Sequence, residues 1–158
     1  MNDDREPILV RATDNIAVAT VETRAEVRTY PQALLAMARK LLDEGQFSLA
    51  VIVCHMACEV AAERSLSAAF AKKGLQDLGK AVDEFLNGYN LAAERNRKLY
   101  TALTGDHIEQ QPFWPKFKES ATRRNDIVHG DLPVNEVTQV DAEESFKAAS
   151  EFVAHLKQ

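Results

Sequence analysis

Apolar residues recur at helical spacing through most of the chain. Between Phe47 and Phe70 they fill almost every position, so the helix predicted there has hardly any polar face. A helix that is apolar on all sides belongs at the centre of a bundle. The exception is a narrow polar line of His55, Glu59 and Glu63, which follow one another at intervals of four and therefore share one side of the helix.

Five further segments have the pattern of amphipathic helices bounded by caps and breakers. Because short loops join them, the sequence predicts an all-α fold, an antiparallel bundle of about five to six helices over residues 30–158. The first starts at Tyr30 and stops at Gly45, the third carries its stripe from Leu75 to Tyr89, and the fourth starts from a cap at Asn90 and closes at Gly105. The fifth spans Pro112 to His129, and the sixth runs from a capping box at residues 141–144 to about Leu156.

Residues 1–29 have a different pattern. Two short β-prone runs, Ile8–Val10 and Ile16–Val21, predict an extended arm or a β-hairpin ahead of the bundle. The first six residues lack the apolar stretch of a signal peptide, and no apolar run reaches the roughly 20 residues of a membrane span. We therefore expect a cytoplasmic protein that makes no use of a membrane. Cys54 and Cys58 fit this compartment as buried free thiols.

The chain carries 19 Lys and Arg against 24 Asp and Glu, a formal net charge of −5. That balance argues against a protein that covers nucleic acid without regard to sequence, but it permits a local basic site. One basic patch is formed by Lys116, Lys118, Arg123 and Arg124, and a second by Arg95, Arg97 and Lys98. Three aromatic residues lie near the first patch: Phe113, Trp114 and Phe117. They could belong to the core or stack on the bases of a nucleic acid.

Arg124 stands out because it falls on the predicted inward stripe of the fifth helix, with Phe117, Ala121 and Val128. A guanidinium stays charged in proteins, and its burial without a partner is very costly. Arg124 can therefore pair with a buried carboxylate, for which Glu59 is the best candidate, or face a charged cleft or a partner subunit. The alternative is a side chain that extends to solvent from the edge of the bundle.

A cluster of polar residues surrounds Arg124 at the end of this helix. His129 lies five residues further on, in the last turn before Gly130. Asn125 shares a face with His129 at a spacing of four, and Asp126 is placed to hold the imidazole ring. The sequence thus brings Arg, Asn, Asp and His to one helix end.

The segment Arg124-Asn125-Asp126-Ile127-Val128-His129 resembles the Arg-polar-x3-His signature of HEPN domains. These are small helical domains, many of which are metal-independent ribonucleases. The apolar helix with an embedded acid, Ala57-Cys58-Glu59-Val60-Ala61, is similar to the family's second core helix. The resemblance implies Arg124, Asn125 and His129 as site residues in a homodimer whose two signatures meet. Arg123 also lies within the family's spacing, although the inward stripe favours Arg124.

The resemblance implies cleavage of RNA by its own 2′-OH, with histidine moving protons and arginine stabilising the phosphate. Glu59, Asp126 and Arg123 would support this site, and Lys116 and Lys118 would bind RNA. No cofactor is predicted, and no metal, because His55 and Glu59 lack a third ligand in the sequence. A role in toxin or defence systems, with an antitoxin or nucleotidyltransferase partner, follows from the family alone.

Two other functions remain open at the level of the sequence. The domain could bind nucleotides, RNA or a protein without catalysis. It could also be a helical interaction protein in which Arg124 and Glu59 only fix the register of two helices.

Overall fold

Six α-helices form the described part of the protein, and the all-helical bundle predicted from the sequence is confirmed. The computed structural model describes residues 29–84, 86 and 88–157, with the backbone alone for Val134. The helices are α1 (Tyr30–Asp43), α2 (Phe47–Lys72), α3 (Gln76–Asp83), α4 (Glu94–Thr104), α5 (Trp114–His129) and α6 (Gln139–Leu156). Two short 3₁₀ turns, Ile108–Gln110 and Val134–Glu136, lie in the loops on either side of α5. The arm or hairpin predicted for residues 1–29 falls almost wholly outside the described residues.

Helix α2 is the centre of the bundle, as its apolar pattern predicts. It contacts each of the other five helices. Its small residues let those neighbours approach closely, and Ala50, Ala57 and Ala62 are fully buried. Among the described helices, none is both long and apolar enough to cross a membrane.

Helix α5 runs antiparallel to α2, because Phe117 near its start stacks on His55 and Ile127 near its end packs with Val51. Helix α6 returns antiparallel to α5. An aromatic pair joins them in the core, where the rings of Phe117 and Phe152 stack with centroids 4.3 Å apart.

Glycine ends two of the helices at the predicted positions. Gly105 after α4 and Gly130 after α5 have φ of 76° and 79°, in the left-handed region that glycine adopts without strain. Behind Gly130 the chain turns sharply, since the carbonyl of Asp126 accepts from the backbone N–H groups of Asp131 and Leu132 at 2.8 and 3.0 Å. This turn fixes where α5 stops and leaves His129 in its last turn.

Four details of the sequence prediction are wrong. The third helix, predicted to carry its stripe to Tyr89, ends at Asp83. The capping box of α6 lies at Thr138 and Asp141 rather than at residues 141–144, so the helix starts earlier. Asn90 does not cap α4, which starts after Ala93; its side chain instead accepts a hydrogen bond from the N–H of Ala92. Val128 is 51% exposed, and Ile127 is the buried residue at that level of α5.

Candidate functional site

Arg124 lies half-buried on the side of α5 that faces α2. Its Nε is buried and has no hydrogen-bond partner in the part of the chain that the structure describes, and its Nη1 donates to the side-chain oxygen of Asn125 at 3.0 Å. Arg124 forms no ion pair within the described residues. Asn125 therefore holds one edge of the guanidinium, whereas no carboxylate of the described residues is close enough to neutralise its positive charge.

The acid predicted to balance Arg124 is only a distant neighbour. Glu59 is 28% exposed, and its Oε1 lies 3.6 Å from Nε2 of His55, which is longer than a hydrogen bond. The pKa of Glu59 is lowered, mostly by His55 and to a smaller extent by the charge of Arg124, although partial burial opposes the shift. Glu59 thus acts on Arg124 through the electrostatic field and not through an ion pair.

His55 is the most unusual polar residue beside this site. Its side chain is 1% exposed, and neither ring nitrogen has a hydrogen-bond partner in the described part of the chain. The ring lies nearly parallel to that of Phe117, with centroids 6.4 Å apart. His55 and Glu59, two members of the polar line on α2, are therefore neighbours without a hydrogen bond between them, because 3.6 Å is too long for one.

The neighbouring Arg123 faces α6, not α2, and has a different role. Its Nη2 lies 2.8 Å from a carboxylate oxygen of Asp141, and its Nη1 donates to the hydroxyl of Ser145 at 3.1 Å. These contacts join α5 to the first turns of α6. Of the two adjacent arginines, Arg124 is therefore the one whose charge is free to meet a ligand.

His129 is exposed in the last turn of α5 and has no partner within the described residues. Five residues separate it from Arg124, so the two side chains leave the helix about 140° apart and about 7.5 Å along its axis. Asn125 lies between them, half-buried. The predicted contact of the Asp126 carboxylate with the imidazole is not among the hydrogen bonds of the described chain. A single protomer thus groups Arg124 with Asn125 but leaves His129 to one side.

The basic patches are smaller than the sequence suggests, because several cations have partners. Lys116 lies 2.9 Å from Glu119 and 3.1 Å from Glu144, and these contacts raise its pKa. Lys118 is exposed and unpaired among the described residues.

In the second patch, Arg97 donates to the carbonyls of Leu91 and Ala92 and lies over the Trp114 ring. Lys98 pairs with Glu94 at 2.7 Å. The aromatic residues near the first patch, Phe113, Trp114 and Phe117, are all buried in the core.

The two cysteines are free and buried, as predicted. Burial raises the pKa of the Cys54 thiol to about 12 and that of Cys58 well above its ordinary value. Within the described residues, no group of three or more His, Cys, Asp or Glu side chains is arranged to hold a metal ion.

One polar cluster gave no signal in the sequence. His155 and Tyr100 both contact the same carboxylate oxygen of Asp106, each at 2.7 Å. His155 and Asp106 are 49 residues apart, so only the fold brings them together.

No protein-family model, curated protein or solved structure matches the chain. The resemblance to HEPN domains therefore depends on the segment Arg124–His129 and on the helical frame that holds it.

Proposed function

We propose that the protein is an endoribonuclease of HEPN type that needs no metal ion and acts as a homodimer. The observation that carries the proposal is Arg124, whose charge lies at the seam of α2 and α5 without an ion-pair partner in the described chain. A permanently charged, planar donor in that state is suited to bind a phosphate group.

The chemistry requires two proton transfers and one cation. The 2′-OH of RNA gives its proton to a base and attacks the adjacent phosphorus, and the bond to the 5′-oxygen breaks as that oxygen takes a proton from an acid. The products are a 2′,3′-cyclic phosphate and a 5′-hydroxyl. In this scheme Arg124 stabilises the charge that builds on the phosphate, Asn125 holds Arg124 in place, and His129 moves a proton.

A second protomer supplies what one chain lacks. One chain offers a single histidine at the site, whereas a two-fold axis close to the end of α5 brings two copies of His129 together, one for each proton transfer. Exposed apolar residues that suit such an interface are Leu49 and Met56 on α2 and Val128 on α5, at 47%, 41% and 51% exposure. Lys118 extends the basic surface along α5 towards the RNA.

The test is cleavage of a labelled RNA by purified protein in EDTA, with the products identified by mass. His129→Ala should remove cleavage and keep the helical circular dichroism spectrum. His107→Ala is the matched control, because His107 is also exposed, at 56%, but lies in the loop before α5. Equal cleavage by His129→Ala and the parent protein contradicts the mechanism.

A binding module without catalysis is the second candidate, and two observations favour it. The chain is acidic overall, and Lys116, one of the cations on α5, is taken by Glu119 and Glu144. If the protein is a binding module, the parent protein binds the same RNA and produces no cyclic phosphate. Arg124→Ala should then weaken the binding. The involvement of a toxin system, with an antitoxin or nucleotidyltransferase partner, is part of the first proposal only.

A further inference from the structure

A cavity of about 940 Å³ opens at the end of the bundle that lies away from Arg124. Its lining comes from the second half of α2, the end of α4 and the end of α6, together with Thr29 and Pro31. Arg124, Asn125 and His129 are not in its lining, and Glu59, the acid nearest in sequence to the cavity that feels Arg124, lies five residues before Arg64 on α2, about 7.5 Å along the axis and about 140° around it. The cavity is therefore separate from the proposed ribonuclease site.

Four cations border this cavity: Arg64, Lys72, Lys73 and Lys157. None of their side chains has an ion pair or a hydrogen bond within the described residues, in contrast to those of Arg39, Lys98 and Lys116 elsewhere on the surface. The one carboxylate in the lining, Asp106, is already bound by His155 and Tyr100. Uncompensated positive charge around a concave surface attracts anions locally, against the net charge of −5 that the whole chain carries.

The wall of the cavity contains a fixed imidazole. Asp106 is held by its own backbone, since its N–H donates to Thr104 and its carbonyl accepts from Thr101, at 3.1 and 3.0 Å. It binds Nε2 of His155 at 2.7 Å, which leaves Nδ1 as the nitrogen of that ring without a partner in the described chain. A carboxylate on one ring nitrogen orients the other toward its ligand.

The floor of the cavity is apolar. It is lined by the buried or half-buried side chains of Ala61, Ala69, Leu103, Val153 and Leu156, and the exposed Ala68 borders it. The volume is in the range of sites for small molecules, which typically combine an apolar lining with a few charged groups. A free inorganic anion would leave this apolar surface uncovered.

We propose that this cavity binds a small organic molecule that carries two or more phosphate charges. The four cations carry more positive charge than the carboxylate of Asp106 neutralises. The remaining charge is close to that of a diphosphate or a bisphosphate, with the opposite sign. The floor of alanine, leucine and valine takes the organic body, and the oriented imidazole of His155 contacts its polar edge. The proposal is independent of the proposed ribonuclease activity, because it involves other residues at the other end of α2.

The test is isothermal titration calorimetry with three probes: ADP, fructose 1,6-bisphosphate and inorganic pyrophosphate. We expect one of the two organic probes to bind once per chain at about 100 µM or tighter, and pyrophosphate to bind at least about tenfold more weakly. The stronger of the two organic probes distinguishes a nucleotide site from a sugar phosphate site.

Three variants locate the binding. Lys72→Ala/Lys73→Ala removes two cations, and Ala68→Phe adds an aromatic ring to the lining and narrows the cavity without any change of charge; each should weaken the binding of the organic probe by about tenfold or more. Lys80→Ala/Lys147→Ala is the matched control, since it removes two exposed lysines outside the cavity. The proposal is overturned if no probe binds at 1 mM, if the control loses as much affinity as Lys72→Ala/Lys73→Ala, or if Ala68→Phe binds as well as the parent. Circular dichroism confirms that each variant is folded.

Discussion

The guanidinium of Arg123 lies 2.8 Å from the carboxylate of Asp141. Asp141 is also part of the capping box of α6, where its carboxylate accepts from the backbone N–H and the hydroxyl of Thr138. The start of α6 is thus attached to the last turns of α5 through one carboxylate. This contact also separates the roles of two adjacent arginines, because it occupies Arg123 and leaves Arg124 for a ligand.

Replacement of Arg123 should mainly lower stability, whereas replacement of Arg124 should mainly lower RNA cleavage. Arg123→Ala removes the cation that contacts Asp141 and Ser145 and should lower the free energy of unfolding by about 1–3 kcal/mol. Arg124→Ala removes a cation that has no ion pair in the described chain, so stability should change by less than about 1 kcal/mol, while RNA cleavage falls by about 100-fold or more.

Urea unfolding followed by circular dichroism, together with the cleavage assay, measures both effects. Arg95→Ala serves as the control, because Arg95 is exposed and has no partner within the described residues. Loss of cleavage in Arg123→Ala with full stability, and normal cleavage in Arg124→Ala, would reverse the assignment of the two arginines.

Asp141 should make stability depend on acid. Its pKa is lowered, first by the hydroxyl of Thr138 and further by the charge of Arg123, although desolvation opposes the shift. A carboxylate with a lowered folded-state pKa stabilises the fold above its unfolded pKa of about 4, and this contribution is lost as the pH falls through the folded value. Asp141→Asn should therefore cost about 1 kcal/mol at pH 7 and flatten the loss of stability below pH 4.

Urea titrations at pH 7, 5 and 3 measure this dependence. Asp77→Asn is the control, since the Asp77 side chain is 99% exposed and its contact with Lys80 is on the surface. A parallel loss of stability in Asp141→Asn and the parent protein between pH 5 and pH 3 would show that the carboxylate carries no pH-dependent stabilisation.

The frame of the fold was predictable because it depends on local pattern. The continuous apolar run of α2 predicts a central helix, and the glycines at positions 105 and 130 mark helix ends through their left-handed backbone. The buried residue near the end of α5 was misplaced by one position. Ile127, and not Val128, meets Leu132 and Val137 of the following loop, and a helical wheel contains no information about where that loop packs.

The sequence predicted the position of Arg124 on α5 but not the contacts of the polar residues around it. The sequence identified Arg124 as a cation on the core-facing side of α5, and the structure confirms that it is half-buried there. The partner of Arg123 is 18 residues away and that of His155 is 49 residues away, so both depend on how helices pack. Spacing along one helix gives no signal for such pairs.

Both thiols should be inert in the folded protein. Burial raises the pKa of Cys54 to about 12, so at pH 8 the side chain stays a neutral thiol, whereas an exposed cysteine has a pKa of about 8.5. Iodoacetamide at pH 8 should therefore modify neither cysteine in the native protein and both in denaturing urea, as counted by mass spectrometry. Rapid modification of the native protein, at the rate of a small free thiol, would show that this end of α2 opens to solvent.

His55 is the buried residue whose replacement we expect to stabilise the fold. Its two ring nitrogens lack partners in the described chain, and an unsatisfied buried polar group costs about 1–3 kcal/mol. His55→Leu has a comparable volume and should raise the free energy of unfolding by about 1 kcal/mol in urea titrations. The same change removes the largest influence that lowers the pKa of Glu59, so this carboxyl should take up its proton at a higher pH than in the parent protein. His107→Leu, at an exposed histidine, should alter neither quantity. A less stable His55→Leu variant would mean that the imidazole gains more from its buried environment than an aliphatic side chain does.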